Sequence, residues 1–170
     1  ELLYACGICL LEKSEYSNAE AYFNKALSLA FDVPELMYSR GLCYFNSGNY
    51  EEAINDFSLA LDKDDKLVEA NYYRGLIYAK LANYDLALND FEKCVNDKFK
   101  LYESSYYLGV CNLKLKNYDS ALLNLQDAVS GGYTNIEVLK RKAFVFSKLE
   151  MYNEALIDYN AVLDILILIK

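Results

Sequence analysis

The sequence contains no histidine, and this absence removes the commonest general base from any active site. It also rules out every arrangement in which histidine activates a serine or cysteine nucleophile. No glycine-rich phosphate-binding loop is present, and the acidic cluster of Asp62, Asp64 and Asp65 lacks the spacing of a calcium loop. The sequence therefore predicts no catalytic residue, no cofactor and no metal ion, and we do not expect an enzyme.

Proline, glycine and positive charge are also scarce. With one proline and seven glycines the chain has no segment typical of a linker, so we expect a single domain over residues 1–170. Its 17 lysines and arginines against 25 acidic residues give a net charge of −8, which acts against binding to phosphate backbones and anionic lipids. No apolar run reaches the roughly 20 residues of a membrane span. We expect neither nucleic acid nor a membrane as a partner.

The five cysteines are an odd number, and no asparagine stands in a glycosylation motif, so nothing indicates a secreted disulfide framework. These features favour the cytoplasm. Cys6 and Cys9 form a C-x-x-C pair, but no second pair or histidine completes a zinc site. Because Cys9 shares a repeat position with Cys43, we expect it to be buried and structural. The chain starts at Glu1 rather than Met, which predicts a fragment of a longer protein.

Comparison of the chain with itself reveals a repeat of 34 residues, repeated five times without an insertion. A small residue, a tyrosine and an alanine each recur at this step. The small residues are Gly7, Gly41, Gly75, Gly109 and Ala143; the tyrosines are Tyr16, Tyr50, Tyr84, Tyr118 and Tyr152; the alanines are Ala19, Ala53, Ala87, Ala121 and Ala155.

Each repeat is predicted to form a hairpin of two helices, called here its first and second helix. In the second repeat they cover Pro34–Asn46 and Tyr50–Leu61, with a glycine-containing break between them. Gly41 of the first helix and Ala53 of the second lie on apolar stripes with helical spacing. These small residues are expected to let the two helices approach closely.

This pattern of Leu-Gly, Tyr, Ala and Phe positions resembles the tetratricopeptide repeat family, over nearly the whole chain. The resemblance implies an all-α fold, a right-handed α-solenoid of stacked antiparallel helix hairpins (the TPR superhelix). The five repeats cover approximately residues 1–33, 34–67, 68–101, 102–135 and 136–170. The usual terminal proline of each repeat is absent. As a function, the resemblance implies a scaffold or adaptor that binds other proteins.

In proteins of this family the first helices line the concave side, so the resemblance places the binding residues there. Helical spacing puts one residue per turn of each first helix on a stripe away from the packing face. The predicted groove residues are Glu35, Tyr38, Leu42, Asn46, Glu69, Tyr72, Leu76, Lys80, Glu103, Tyr106, Val110, Lys114, Lys140, Phe144 and Lys148. Glu1, Tyr4, Ile8 and Glu12 hold these places in the first repeat, and Glu137 in the fifth.

The groove so predicted is apolar and aromatic with charged edges, and suits a peptide or helix of a partner that offers apolar anchors and basic residues. A plainer interpretation is that these side chains serve packing between hairpins and solvation. The Asn and Lys or Arg residues that grip a terminal carboxylate in some family members are replaced here by Leu42, Tyr73 and Glu103.

Two other functions stay open from the sequence: an assembly segment of a longer solenoid in a multiprotein complex, and a recognition arm of a larger enzyme. The apolar run Ile165–Ile169 ends the chain without a polar cap, and favours the assembly function. This end is a candidate for self-association, unless the helix folds back on its own hairpin.

Overall fold

The computed structural model describes residues 1–168, and these residues form ten α-helices. In chain order they are α1 (Leu2–Glu12), α2 (Tyr16–Ser28), α3 (Pro34–Ser47), α4 (Tyr50–Lys63), α5 (Val68–Lys80), α6 (Tyr84–Asn96), α7 (Leu101–Lys114), α8 (Tyr118–Ser130), α9 (Ile136–Lys148) and α10 (Tyr152–Leu168). Among these helices none has both the length and the apolar content needed to cross a bilayer.

The helix ends have local causes that the sequence contains. Helix α3 begins with Pro34, whose fixed φ suits the first helical position. It ends before Gly48, whose φ of 82° is the left-handed conformation of a helix C-cap. Asn135 caps α9 by accepting a hydrogen bond from the Val138 amide at 3.0 Å. The predicted helix pair of the second repeat is therefore confirmed, with each helix one or two residues longer at its C-terminus.

The chain divides into two compact units, residues Glu1–Leu81 (unit 1) and Ala82–Lys170 (unit 2). Within unit 1, α1 packs on α2 and α3 packs on α4; within unit 2, α7 packs on α8 and α9 packs on α10. Consecutive hairpins then stack, α3 on α2 and α9 on α8. The single domain expected from composition stays a prediction.

The core of each hairpin is the contact between its two helices. The repeated alanine of the second helix is buried throughout, and the bulky residue four positions later is buried beside it, as Phe23, Phe57, Phe91 and Leu125. A Cβ atom added to Gly41 would lie 2.8 Å from Phe57 Cε1, closer than packed carbon atoms approach. The predicted close approach of the two helices is confirmed, and it explains the small residue in the first helix.

Helix α10 packs on α9 through Ala155 and Val162, while its last two turns stay largely exposed. Leu166 is 45% exposed and Ile167 is 69% exposed, although Ile165 is half-buried. The alternative in which this end folds back fully on its own hairpin is therefore wrong for these residues. Ile169, the last residue of the predicted apolar run, lies outside the described residues.

Candidate functional site

The predicted groove residues lie on first helices that contact each other directly, α1 with α3 and α3 with α5 in unit 1, and α7 with α9 in unit 2. Within each unit the stripes of neighbouring helices therefore adjoin. In unit 1 the apolar residues Ile8, Leu42 and Leu76 are half-buried. Charged or polar residues on either side are mostly exposed, namely Glu1, Glu12, Glu35, Asn46 and Lys80, with Glu69 half-buried.

The tyrosines of unit 1 take part in packing between hairpins. The Tyr38 ring lies 5.9 Å from the Phe57 ring and 6.2 Å from the Tyr73 ring, measured between centroids. Burial, with smaller contributions from Tyr73 and Glu69, raises the pKa of the Tyr38 phenol well above its usual range. Tyr72 is 2% exposed. These aromatic rings stabilise the stacking of hairpins in unit 1.

Tyr106 has the same role in unit 2. It is 9% exposed, its hydroxyl accepts a hydrogen bond from Arg141 Nε at 3.2 Å, and its ring centroid lies 5.4 Å from that of Tyr133. The prediction of a tyrosine row that is open to a ligand is therefore wrong for Tyr72 and Tyr106. The reason is that a large ring placed between adjacent first helices buries its area against the neighbouring helix.

Around Phe144, unit 2 has a cavity of about 300 Å³. The Phe144 ring is 42% exposed, and the Lys148 ammonium lies 5.1 Å from its centroid. Next to the ring, the Glu137 carboxylate pairs with Arg141 at 2.8 Å and with Lys140 at 3.4 Å. The cavity is lined by Leu113 of α7, Glu137, Lys140, Arg141 and Phe144 of α9, and Tyr159 of α10.

The chemistry of this cavity is that of an apolar depression with an excess of positive charge. Two cations face one carboxylate, and Lys140 and Glu137 are about half exposed, so their ion pair contributes little and can be exchanged for a ligand contact. An apolar side chain could fill the space beside Phe144 while an acidic group next to it pairs with Lys140 or Arg141.

The other predicted residues are placed as follows. Lys80 donates a hydrogen bond to the Tyr50 hydroxyl and lies 4.7 Å from that ring, so it bridges two hairpins of unit 1. Val110 is half-buried and Lys114 is exposed on α7. Glu103, also half-buried, lies 3.8 Å from Lys100.

Three lining residues of the cavity were not predicted from the sequence: Leu113, Arg141 and Tyr159. Leu113 lies three residues after Val110, a spacing that puts both on one helix face and could have revealed it. No local pattern reveals Tyr159, which comes from a second helix. An ion pair that joins the helices of one hairpin, Arg40 with Asp56, was also missed.

The two cysteines of α1 are exposed, so the prediction that Cys9 is buried is wrong. At the equivalent positions Cys43 and Cys111 are buried, and burial raises the pKa of each thiol to about 12. The difference arises because none of the described helices packs on the outer face of α1, whereas α2 packs on α3 and α6 on α7. Within residues 1–168 no cluster of three potential metal ligands occurs.

Comparisons with known proteins agree with this architecture. One family model, the tetratricopeptide repeat, matches residues 34–66, and a second model of the same description matches residues 1–33 and 68–96. No curated protein matches the sequence.

Several solved structures share the fold at low sequence identity. MamA of Desulfovibrio magneticus RS-1 (residue 41 to its end) superposes with a TM-score of 0.86 at 22% identity, over 96% of this chain and 92% of that chain. For MamA AMB-1 the values are 0.88, 19%, 96% and 89%. For YrrB, described as a TPR protein with an unusual peptide-binding site, they are 0.87, 22%, 96% and 84%. The chain belongs to the tetratricopeptide repeat family and has its α-solenoid fold.

Proposed function

We propose that this chain is a scaffold or adaptor module that holds a peptide or helix of another protein against the first helices of its hairpins. Membership of the tetratricopeptide repeat family supports a role in protein interaction. The observation that carries the finer proposal is the cavity of unit 2, where the exposed Phe144 ring lies beside Lys140 and Arg141. An exposed aromatic ring in a concave site is a common anchor point for a partner side chain.

The charges of the two units favour different parts of a ligand. In unit 1 the first helices expose Glu1, Glu12 and Glu35, which suit the basic residues expected from the sequence. The cavity of unit 2 has more positive than negative charge, which suits an acidic group next to an apolar side chain. We therefore propose a ligand with apolar anchors in which basic and acidic residues are segregated.

The proposal includes two simpler features of the protein, a cytoplasmic location and the absence of catalysis. The five cysteines are free thiols, a state that a reducing compartment maintains. The lack of histidine supports a binding role rather than a chemical one. Fractionation of the source cells, with the protein followed by an antibody, tests the location.

The binding proposal is tested by selecting peptides from a random library on the immobilised chain, then measuring their affinity by fluorescence polarisation. We expect Phe144→Ala to weaken binding of the selected peptides at least about tenfold, as loss of an anchor contact does. The matched control is Leu123→Ala on α8, where an exposed leucine (59%) lies on a second helix. Failure to enrich any peptide, or equal losses in the two variants, would contradict the proposal.

A second candidate function is assembly within a multiprotein complex. It is favoured by the apolar surface that α1 and α10 expose at the two ends of the described chain, including Leu2 at 85% and Leu168 at 86% exposure. The role of a recognition arm for a larger enzyme stays an alternative with no structural observation in its favour.

A further inference from the structure

The outer face of α1 is apolar and exposed at positions that are buried in every other first helix. Leu2 is 85% exposed and Cys9 is exposed, whereas Leu36 and Cys43, 34 residues later, are 0% and 1% exposed. The same two positions are buried in the remaining repeats, as Ala70 with Ile77, Ser104 with Cys111, and Val138 with Val145. In α3 these residues face the preceding hairpin, where Leu36 and Cys43 join a cluster with Phe23 and Ala26 of α2.

The outer face of α10 shows the complementary exposure. Leu156, Leu163 and Ile167 are 58%, 55% and 69% exposed. The residues 34 positions earlier belong to a hydrophobic cluster that also contains Val138 and Val145 of the following first helix. These earlier residues are Leu122, Val129 and Tyr133. The exposed face of α10 therefore has the residues with which a second helix receives the next first helix.

Polar residues that join hairpins inside the chain are replaced at both ends together. Between the first two hairpins the Tyr44 hydroxyl donates to Glu20 Oε1 at 3.1 Å. The equivalent of Glu20 in α10 is Leu156, and the equivalent of Tyr44 in α1 is Leu10. In the repeat register these two leucines would face each other if α10 met α1. An apolar pair already joins unit 2 at this position, where Leu122 precedes Phe146.

Charge is also missing from the face of α1. The hairpins of α3 and α9 each contain an ion pair between their two helices, Arg40 with Asp56 and Lys142 with Asp158. The equivalents in the first hairpin are Cys6 and Tyr22. These two line a cavity of about 370 Å³ together with Leu2, Ala5, Cys9 and Leu10, none of which is charged. An uncharged concave patch of this kind marks an interaction surface.

We propose that the chain assembles head to tail, with α10 of one copy seated on α1 of a second copy in the register that joins its own consecutive hairpins. Each copy would then offer one donor face on α10 and one acceptor face on α1. Such a contact is heterologous, so it extends to a closed ring or an open filament rather than stopping at a symmetric dimer. It uses outer faces of the end helices and leaves the Phe144 cavity available.

The test blocks one face at a time and then mixes the blocked copies. Cys9→Glu places a charge on the acceptor face, and Leu163→Glu places one on the donor face. Analytical ultracentrifugation under reducing conditions should give the monomer mass of 19.5 kDa for each variant alone. The unmodified chain should give larger species. The equimolar mixture should give twice the monomer mass, because one intact face of each kind remains.

A control and a second measurement accompany the mixing experiment. Leu123→Glu puts the same charge on an exposed leucine of α8, and this variant should assemble as the unmodified chain does. Cys6 lies on the acceptor face, so its alkylation in the Leu163→Glu copy should slow at least about tenfold when the Cys9→Glu copy is added. Far-UV circular dichroism confirms that each variant is folded.

Two results would overturn the proposal. If the unmodified chain stays monomeric up to about 100 µM, a second copy is not the occupant, and the two faces are left to a different partner. If Cys9→Glu still dimerises while Leu163→Glu does not, the contact is a symmetric one between two α10 helices. A mixture of the two variants that gives only monomers contradicts the head-to-tail register in the same way.

Discussion

Replacement of Arg40 by methionine should lower the free energy of unfolding by about 3 kcal/mol, because it leaves a buried carboxylate without its donors. Arg40 Nε and Nη2 donate to the two oxygens of Asp56 at 2.7 and 2.6 Å. The Asp56 side chain is 4% exposed, so water cannot replace these donors. Methionine keeps the apolar stem of the side chain, so the measured loss reports the charge rather than packing.

The reverse substitution should cost less. Asp56→Leu leaves a cation whose side chain is 18% exposed and which also donates to Asn24 Oδ1 at 2.6 Å. We expect a loss of about 1 to 2 kcal/mol. In the double variant with Arg40→Met, both charges are absent, and the loss should be smaller than the sum of the two single losses.

The assay is urea denaturation followed by far-UV circular dichroism, with equal denaturant slopes required before midpoints are compared. The matched control is Lys63→Met. Lys63 Nζ lies 2.8 Å from Asp32 Oδ2, a distance like that of the Arg40 pair, but the two side chains are 34% and 51% exposed. This variant should lose at most about 0.5 kcal/mol. Equal losses in Lys63→Met and Arg40→Met would refute burial as the reason.

Two further predictions concern the second ion pair and the thiols. Lys142→Arg should raise the free energy of unfolding by about 1 kcal/mol, because Asp158 Oδ2 is buried without a hydrogen-bond partner among the described residues and arginine can reach both oxygens; an unchanged urea midpoint would contradict this. In the folded monomer, iodoacetamide should modify two thiols, Cys6 and Cys9, and spare the three whose pKa burial raises to about 12 even at about pH 9. Mass spectrometry counts the modified sites, and modification of a third site in the folded chain would be the contrary result. The spared thiols are Cys43, Cys94 and Cys111.

The candidate site could be predicted from the sequence only in part. Phe144 and Lys140 were found because the 34-residue step and the helical period place them on one stripe. The same reasoning placed Tyr106 on that stripe, but the structure buries its ring and bonds its hydroxyl to Arg141. A stripe fixes the direction of a side chain from its own helix. It does not fix how far the neighbouring helix covers that side chain.

Within single helices and hairpins, the sequence by itself determined the structure. The limits of α3 follow from Pro34 and Gly48, and the contact of α3 with α4 follows from Gly41 opposite Phe57. These features depend on residues close together in the chain, so caps, turn glycines and the 3.6-residue period encode them directly.

Only the tertiary structure decided which surfaces stay exposed and which charges meet. Cys9 and Cys43 hold the same repeat position, yet one is exposed and the other buried, because a preceding hairpin packs on α3 and none packs on α1 within the described chain. The bidentate pairing of Arg40 with Asp56 joins residues 16 positions apart on two helices. Such contacts depend on the stacking of separate helices, and a local pattern of residue types does not contain that information.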